Sequence, residues 1–124
     1  RAVSNYLNKA KVTFKCTDFE EAVKGIRKGA FVYFDPPYDP VSDTSSFTGY
    51  DINGFDKEEQ ERLKGLCDKL DKRDIKFLLS NSATDFILDL YKDYNIAIVK
   101  ARRAINSKGN RRGEIDEVLV KNYE

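Results

Sequence analysis

Apolar residues along the chain follow two periods, one typical of strands and one typical of helices. Alternating apolar and polar positions predict a strand over residues 11–16. Apolar positions at i, i+3, i+4 and i+7 predict a helix over residues 18–29. Asp18, with Glu21 three residues later, has the spacing of a capping box at the start of that helix. A continuous apolar run then predicts a buried strand over residues 30–34.

The rest of the chain continues this alternation after a long polar loop over residues 35–54. Such a loop inside a compact domain is usually functional or mobile. Asp56 and Ser82 are expected to begin two further helices, the first through a capping box with Glu59. The apolar stripe of the first of these helices is Leu63, Leu66, Cys67 and Leu70; that of the second is Phe86, Ile87 and Leu90. The remaining strands are predicted over residues 75–79, 95–99 and 117–123.

This order of elements predicts an α/β fold with a mostly parallel sheet and helices on both faces. The last two strands have no helix between them, so they are expected to pair antiparallel at one edge. No linker divides the chain, which indicates one domain over residues 1–124. Ligands of open α/β sheets bind beyond the carboxyl ends of strands. The turns after residues 16, 34 and 79 therefore form the candidate active face.

Composition narrows the chemistry that the chain can perform. It has no His, which excludes Ser-His triads and His-ligated zinc, and no metal is expected. Cys16 and Cys67 lack a metal-binding spacing and are expected to be small core residues. Two cysteines, no long apolar span and no signal-peptide pattern favour a cytoplasmic location. The first residue is Arg1 and there is no Met, so the chain is expected to be part of a longer protein.

A basic segment over residues 100–113 stands out although the net charge is only +1. It contains six Lys or Arg residues, no acidic residue, and small polar residues between them. This composition is typical of a loop that holds phosphates. The alternative is a solvated loop whose charge is balanced by the acidic residues at 114–117.

An acceptor-rich turn, Asp35-Pro36-Pro37-Tyr38, follows the predicted strand at 30–34. The two prolines stiffen the turn and remove two backbone donors. The acceptors that remain are the Asp35 carboxylate and the carbonyls of Asp35 and Pro36, with the Tyr38 ring beside them. This set suits a flat, neutral molecule with an exocyclic amino group. The alternative is a rigid structural turn in which Asp35 is a local cap.

Residues 33–38 resemble the catalytic motif of amino-group methyltransferases that use S-adenosyl-L-methionine, and Asp35 is the form typical of adenine-N6 enzymes. The resemblance extends to the Dam-type (D12 class) DNA adenine methyltransferases through residues 16–19, 79–82, 103–107, 112 and 117–123, in order along the chain. It implies the carboxy-terminal part of a Rossmann-like methyltransferase fold. The Gly-rich cofactor turn and the target-recognition segment of that family are missing.

The resemblance implies transfer of a methyl group from S-adenosyl-L-methionine to adenine N6 in double-stranded DNA. Asp35 and the Pro36 carbonyl would accept the amino hydrogens, and Tyr38 would stack on an adenine flipped out of the duplex. The implied catalytic residues are Asp35, Pro36, Pro37 and Tyr38. The implied cofactor-binding residues are Asp18, Phe19, Asp35, Phe47 and Tyr50. The implied DNA-binding residues are Arg102, Arg103, Ser107, Lys108, Arg111 and Arg112. The missing amino-terminal half is an expected partner, and the chain alone is expected to have little or no activity.

Three alternatives remain open. The chain could belong to an amino-group methyltransferase that acts on RNA, although Asp rather than Asn at position 35 argues against this. It could be a non-catalytic nucleic-acid-binding α/β module that uses residues 102–112, with salt-sensitive binding that needs no cofactor. It could also be an α/β interaction domain, which the co-occurrence of several ordered motifs disfavours.

Overall fold

The computed structural model describes residues 11–40, 55–100 and 116–124. Within these ranges the chain forms three α-helices and four β-strands. The helices are α1 (Phe19–Ala22), α2 (Lys57–Lys72) and α3 (Asp85–Leu90). The strands are β1 (Phe31–Phe34), β2 (Lys76–Ser82), β3 (Asn95–Val99) and β4 (Glu117–Lys121). The α/β class expected from the sequence is confirmed.

The four strands form one sheet in the order β1-β2-β4-β3. β1 lies parallel to β2, with Phe34 opposite Leu79, while β4 lies antiparallel to both β2 and β3. Three of the four strands therefore share one direction. The expected antiparallel pairing of the last two strands is confirmed, but the reversed strand is not at an edge. β4 lies inside the sheet, where Val118 and Val120 are fully buried, and β3 takes the edge with Ile98 and Val99 exposed.

The two longer helices begin at side-chain caps. Asp56 accepts a hydrogen bond from the Glu59 amide at 3.0 Å, which confirms the predicted start of α2. α3 begins at Thr84, whose hydroxyl accepts from the Ile87 amide at 3.2 Å. The expected cap at Ser82 is wrong because β2 continues through Ser82, which pairs with Glu117 of β4.

The first described residues differ most from expectation. Residues 11–16 are exposed and form no strand, because the described sheet offers them no partner. Helix α1 covers only four residues of the expected range 18–29, and Gly25 and Gly29 follow it with positive φ angles of 89° and 98°. Positive φ does not fit a right-handed helix, so the predicted helix was too long. Cys16 is exposed, contrary to expectation, whereas Cys67 is buried.

A single core cluster lies between the helices and one face of the sheet. It joins the predicted stripe of α2 to alternate residues of the strands and to Ile87 and Tyr91. The members of the cluster are Phe34, Leu63, Leu66, Cys67, Leu70, Ile75, Phe77, Leu79, Ile87, Tyr91, Val118 and Val120. Successive strand residues point to opposite faces. Phe31 and Tyr33 therefore lie on the other face, where they are 55% and 54% exposed. Within the described residues, the buried helix positions join only this one cluster, so the expected second helical layer is not seen there.

Candidate active site

The Asp35-Pro36-Pro37-Tyr38 turn lies at the carboxyl ends of the two parallel strands, where the sequence predicted a ligand site. Phe34 pairs with Leu79 at the end of β1, so Asp35 follows beside Ser80 of β2. The Ser80 hydroxyl donates to Asp35 Oδ1 at 3.1 Å. Asp35 is exposed and Tyr38 is half-buried. The turn thus presents a carboxylate to solvent from a backbone that is anchored to the sheet.

Two tyrosines belong to this site, Tyr33 of β1 and Tyr38 of the turn. The Tyr33 hydroxyl lies 3.2 Å from Ser80 Oγ. Burial raises the pKa of Tyr38. Tyr38 is therefore a neutral phenol near pH 7, with an uncharged ring beside the Asp35 carboxylate.

A pair of buried amides holds the second half of the turn. Gln60 of α2 donates from Nε2 to the Pro37 carbonyl at 3.0 Å. Asn81 of β2 donates from Nδ2 to Gln60 Oε1 at 3.1 Å. Asn81 Oδ1 in turn accepts from the backbone amides of Asp39 at 2.9 Å and Ser82 at 2.8 Å. Since Gln60 is 1% exposed and Asn81 is fully buried, this network fixes the turn against both α2 and β2.

Asp39, the residue after the motif, is buried as well. Its carboxylate accepts from the Thr84 hydroxyl at 2.6 Å and lies 3.6 Å from the ammonium group of Lys57. Thr84 is also the cap of α3, so the turn is connected to the start of that helix. The turn is therefore tied to two helices and one strand.

Four residues that support the turn were not expected from the sequence: Asp39, Gln60, Ser80 and Asn81. One signal for Gln60 was present, since it lies three residues before Leu63 on the apolar stripe of α2. A polar residue on a buried stripe needs a hydrogen-bond partner. Ser80 and Asn81 were noted only as members of residues 79–82, which resemble the strand end that follows the catalytic motif in the family.

Asp18 and Phe19 form a second cluster around Arg62. The guanidinium group donates to both carboxylate oxygens of Asp18, at 2.9 and 3.2 Å, and lies 4.3 Å from the centre of the Phe19 ring. Arg62 lowers the pKa of Asp18, which keeps this exposed carboxylate ionised. The ring of Phe55 lies 5.9 Å from that of Phe19. A carboxylate and a half-buried aromatic ring thus lie side by side.

Several predicted site residues lie outside the described residues. Phe47 and Tyr50 belong to residues 41–54, and all of the predicted DNA-binding residues belong to residues 101–115; these are Arg102, Arg103, Ser107, Lys108, Arg111 and Arg112. In the described ranges, no group of three or more His, Cys, Asp or Glu side chains is arranged to hold a metal ion. No helix in those ranges has both the length and the apolar character needed to cross a membrane.

A mixed α/β sheet with an acceptor-rich turn at its strand ends defines a class of ligand-binding α/β proteins. Comparison with known proteins identifies the family. The family model of D12 class N6 adenine-specific DNA methyltransferases matches residues 1–105. The chain belongs to this family, and the resemblance noted in the sequence is confirmed.

Relatives of known type agree with this assignment. The chain is 44% identical over 122 residues to the Type II methyltransferase M1.LlaDCHI of Lactococcus lactis subsp. cremoris, covering 98% of the chain and 43% of the relative. It is 46% identical over 123 residues to the Type II methyltransferase M.MjaIII of Methanocaldococcus jannaschii, covering 98% and 42%. It is 36% identical over 107 residues to a DNA adenine methylase of Escherichia coli, covering 86% and 38%. The chain thus spans about two fifths of the length of these relatives.

Proposed function

We propose that the protein containing this chain transfers a methyl group from S-adenosyl-L-methionine to N6 of adenine in double-stranded DNA. One observation carries the proposal: the Asp35 turn stands at the carboxyl ends of parallel strands, and two of its acceptors receive no donor from the described residues. In the described part of the chain, neither Asp35 Oδ2 nor the Pro36 carbonyl accepts a hydrogen bond, while the Pro37 carbonyl is engaged by Gln60. Two adjacent acceptors match the two hydrogens of an adenine amino group.

These acceptors address the main chemical difficulty of the reaction. The lone pair of adenine N6 is delocalised into the ring, so the nitrogen is a poor nucleophile. Acceptors at both hydrogens, Asp35 Oδ2 and the Pro36 carbonyl, favour a tetrahedral nitrogen and direct its lone pair at the incoming carbon. The Tyr38 ring stacks on an adenine that has left the duplex. The gain in rate comes from positioning and electrostatics.

The residues around Arg62 fit the adenine of the cofactor. S-adenosyl-L-methionine supplies the methyl group as a sulfonium when it is bound. Asp18 accepts from the cofactor's amino group and Phe19 packs against the same ring. The bonds from Arg62 do not use up Asp18, because a carboxylate has about four lone-pair sites. Asp35 also faces the methionine end, and Phe47 and Tyr50 complete the cofactor site in this proposal.

The uncovered sheet face supports the existence of a further part of the domain. Phe31 and Tyr33 are more than half exposed on that face, and β1 is an edge strand of the described sheet. An apolar face and an open strand edge are normally covered in a folded protein. We therefore propose that the remaining length found in the relatives covers this face and completes a Rossmann-like fold. The chain alone is then expected to show little or no activity.

The DNA partner is proposed to contact the basic segment. The proposed phosphate-contacting residues are Arg102, Arg103, Ser107, Lys108, Arg111 and Arg112. Binding through these residues weakens strongly as salt concentration rises. The relatives named DNA adenine methylases support DNA as the substrate over RNA.

The test is transfer of labelled methyl from S-adenosyl-L-methionine to DNA that lacks adenine methylation. Four proteins are compared: this chain, the chain extended to the length of its relatives, and the extended chain carrying Asp35→Ala or Asp93→Ala. Asp93 is an exposed carboxylate and serves as the matched control. We expect label on adenine only with the extended chain and its Asp93→Ala variant.

Other outcomes are equally informative. Label in RNA but not in DNA supports the alternative substrate. Salt-sensitive DNA binding without any transfer supports a non-catalytic binding module. Full activity of Asp35→Ala contradicts the proposed role of the turn.

A further inference from the structure

We propose that Ser80 is a positioning residue for methyl transfer: its hydroxyl holds Asp35 by one carboxylate oxygen and so presents the other to the substrate amino group. This inference rests on the proposed function and assigns a role to a residue outside the Asp-Pro-Pro-Tyr motif. Ser80 lies 45 residues from Asp35 in sequence, and the two side chains meet at 3.1 Å.

The position of Ser80 is fixed by the sheet. It pairs with Leu119 of β4, and the residue before it, Leu79, pairs with Phe34 at the end of β1. The side chain is 4% exposed, whereas Asp35 is exposed. A rigid, buried donor therefore holds a carboxylate that would otherwise rotate in solvent. Such an arrangement lowers the loss of conformational freedom when the substrate binds.

The hydrogen bonds have a definite direction. A serine hydroxyl has a single proton, and here that proton is donated to Asp35 Oδ1. The Tyr33 hydroxyl, 3.2 Å from Ser80 Oγ, must then be the donor in its contact with Ser80. The result is a relay that runs from Tyr33 through Ser80 to Asp35. A hydrogen bond to an ionised acceptor is stronger than a neutral one, so the bond to Asp35 fixes the carboxylate orientation.

The Ser80 hydroxyl acts through Asp35, which is exposed, while Ser80 itself is buried. Loss of the hydroxyl is expected to disturb alignment of the substrate more than its affinity.

Ser82 provides a matched control. It lies on the same strand and the same sheet face, two residues further on, and is 5% exposed. In the described residues, its hydroxyl does not hydrogen-bond Asp35. Ser82→Ala therefore removes the same atom from an equally buried position.

The experiment uses the extended enzyme and measures kcat, the KM for S-adenosyl-L-methionine and for DNA, and the melting temperature. Ser80→Ala is expected to lower kcat about 10- to 100-fold, with both KM values within about twofold of the parent. Ser82→Ala is expected to keep kcat within about twofold. Ser80→Thr keeps the hydroxyl and is expected to restore most of the rate. Tyr33→Phe removes the outer donor of the relay from a half-exposed side chain and is expected to lower kcat by a smaller factor.

Equal kcat values for Ser80→Ala and Ser82→Ala would overturn the inference. The inference would also be overturned if Ser80→Ala and Ser82→Ala lowered both kcat and the melting temperature to the same extent. Equal losses of both would indicate a structural role for Ser80. If Ser80→Ala does not fold, unchanged kcat in Tyr33→Phe overturns the inference instead. If the parent enzyme transfers no methyl group, the proposed function is wrong and the inference about Ser80 fails with it. If the parent enzyme is active and Ser80→Ala is equally active, only the inference about Ser80 is wrong.

Discussion

Replacing Gln60 with leucine tests whether the buried amide pair holds the motif turn in place. Leucine has a similar volume but removes both polar atoms of the side chain. Two hydrogen bonds disappear: the one to the Pro37 carbonyl at 3.0 Å and the one from Asn81 at 3.1 Å. The Asn81 amide is fully buried, so its freed N–H group has no access to solvent in the folded chain.

The burial of Gln60 and Asn81 determines how much Gln60→Leu lowers the free energy of unfolding. A buried donor left unsatisfied costs about 1–3 kcal/mol, and a lost bond to a partly buried carbonyl costs about 1 kcal/mol. Burial of leucine in place of an amide offsets part of this, because apolar burial is worth about 25 cal/mol per Å². We expect Gln60→Leu to lower the free energy of unfolding by a net of about 1–3 kcal/mol.

Urea unfolding followed by circular dichroism measures this change. Glu61→Leu is the control: it places leucine at the next, exposed position of α2 and is expected to shift stability by less than about 0.5 kcal/mol. Asn81→Leu and the double variant complete a thermodynamic cycle. The double variant is expected to lose less than the sum of the single losses, since the two residues share a hydrogen bond. A loss no larger than that of Glu61→Leu, or strictly additive losses, would refute the reasoning.

Three further predictions follow from burial and charge. Exposed Cys16 is expected to react rapidly with a thiol reagent at pH 8 while buried Cys67 reacts only on unfolding; equal rates for the two thiols would contradict the described core. Burial raises the pKa of the Cys67 thiol, so above about pH 8.5 the unfolded chain binds fewer protons than the folded one. The free energy of unfolding is therefore retained below that pH and falls as the pH rises further. Urea unfolding midpoints at pH 7 and pH 9.5 measure this fall, and an unchanged midpoint would contradict a buried Cys67 thiol. Arg62→Met is expected to raise the pKa of Asp18 toward its ordinary value, because the hydrogen bond from Arg62 is the main cause of its lowering. An NMR titration of the Asp18 carboxyl group checks this, and an unaltered pKa would show that Arg62 does not hold the carboxylate.

The features that the sequence by itself determined depend on interactions between residues that are close in sequence. The start of α2 depends on Asp56 and a backbone amide three residues away, so a short segment contains all the information needed. The period of the α2 stripe sets which side of that helix is buried, and the apolar run of β1 indicates a strand. The placement of the Asp35 turn at a strand end follows from the same run and the prolines after it. These features were correct because no distant residue competes for them.

Contacts between residues far apart in sequence decided the remaining features of the fold and of the site. Residues 11–16 have a strand-like pattern but form no strand, since a strand needs a partner and the described sheet offers none. β4 lies between β2 and β3 because it can pair on both of its edges and bury two valines, a choice that strand order in the sequence does not reveal. The contacts that hold the site, from Ser80 to Asp35 and from Gln60 to Pro37, span 45 and 23 residues. Local sequence patterns correctly indicated α2 and the four strands of the described sheet, whereas the orientation of a carboxylate depends on which buried donor the folded sheet brings to it.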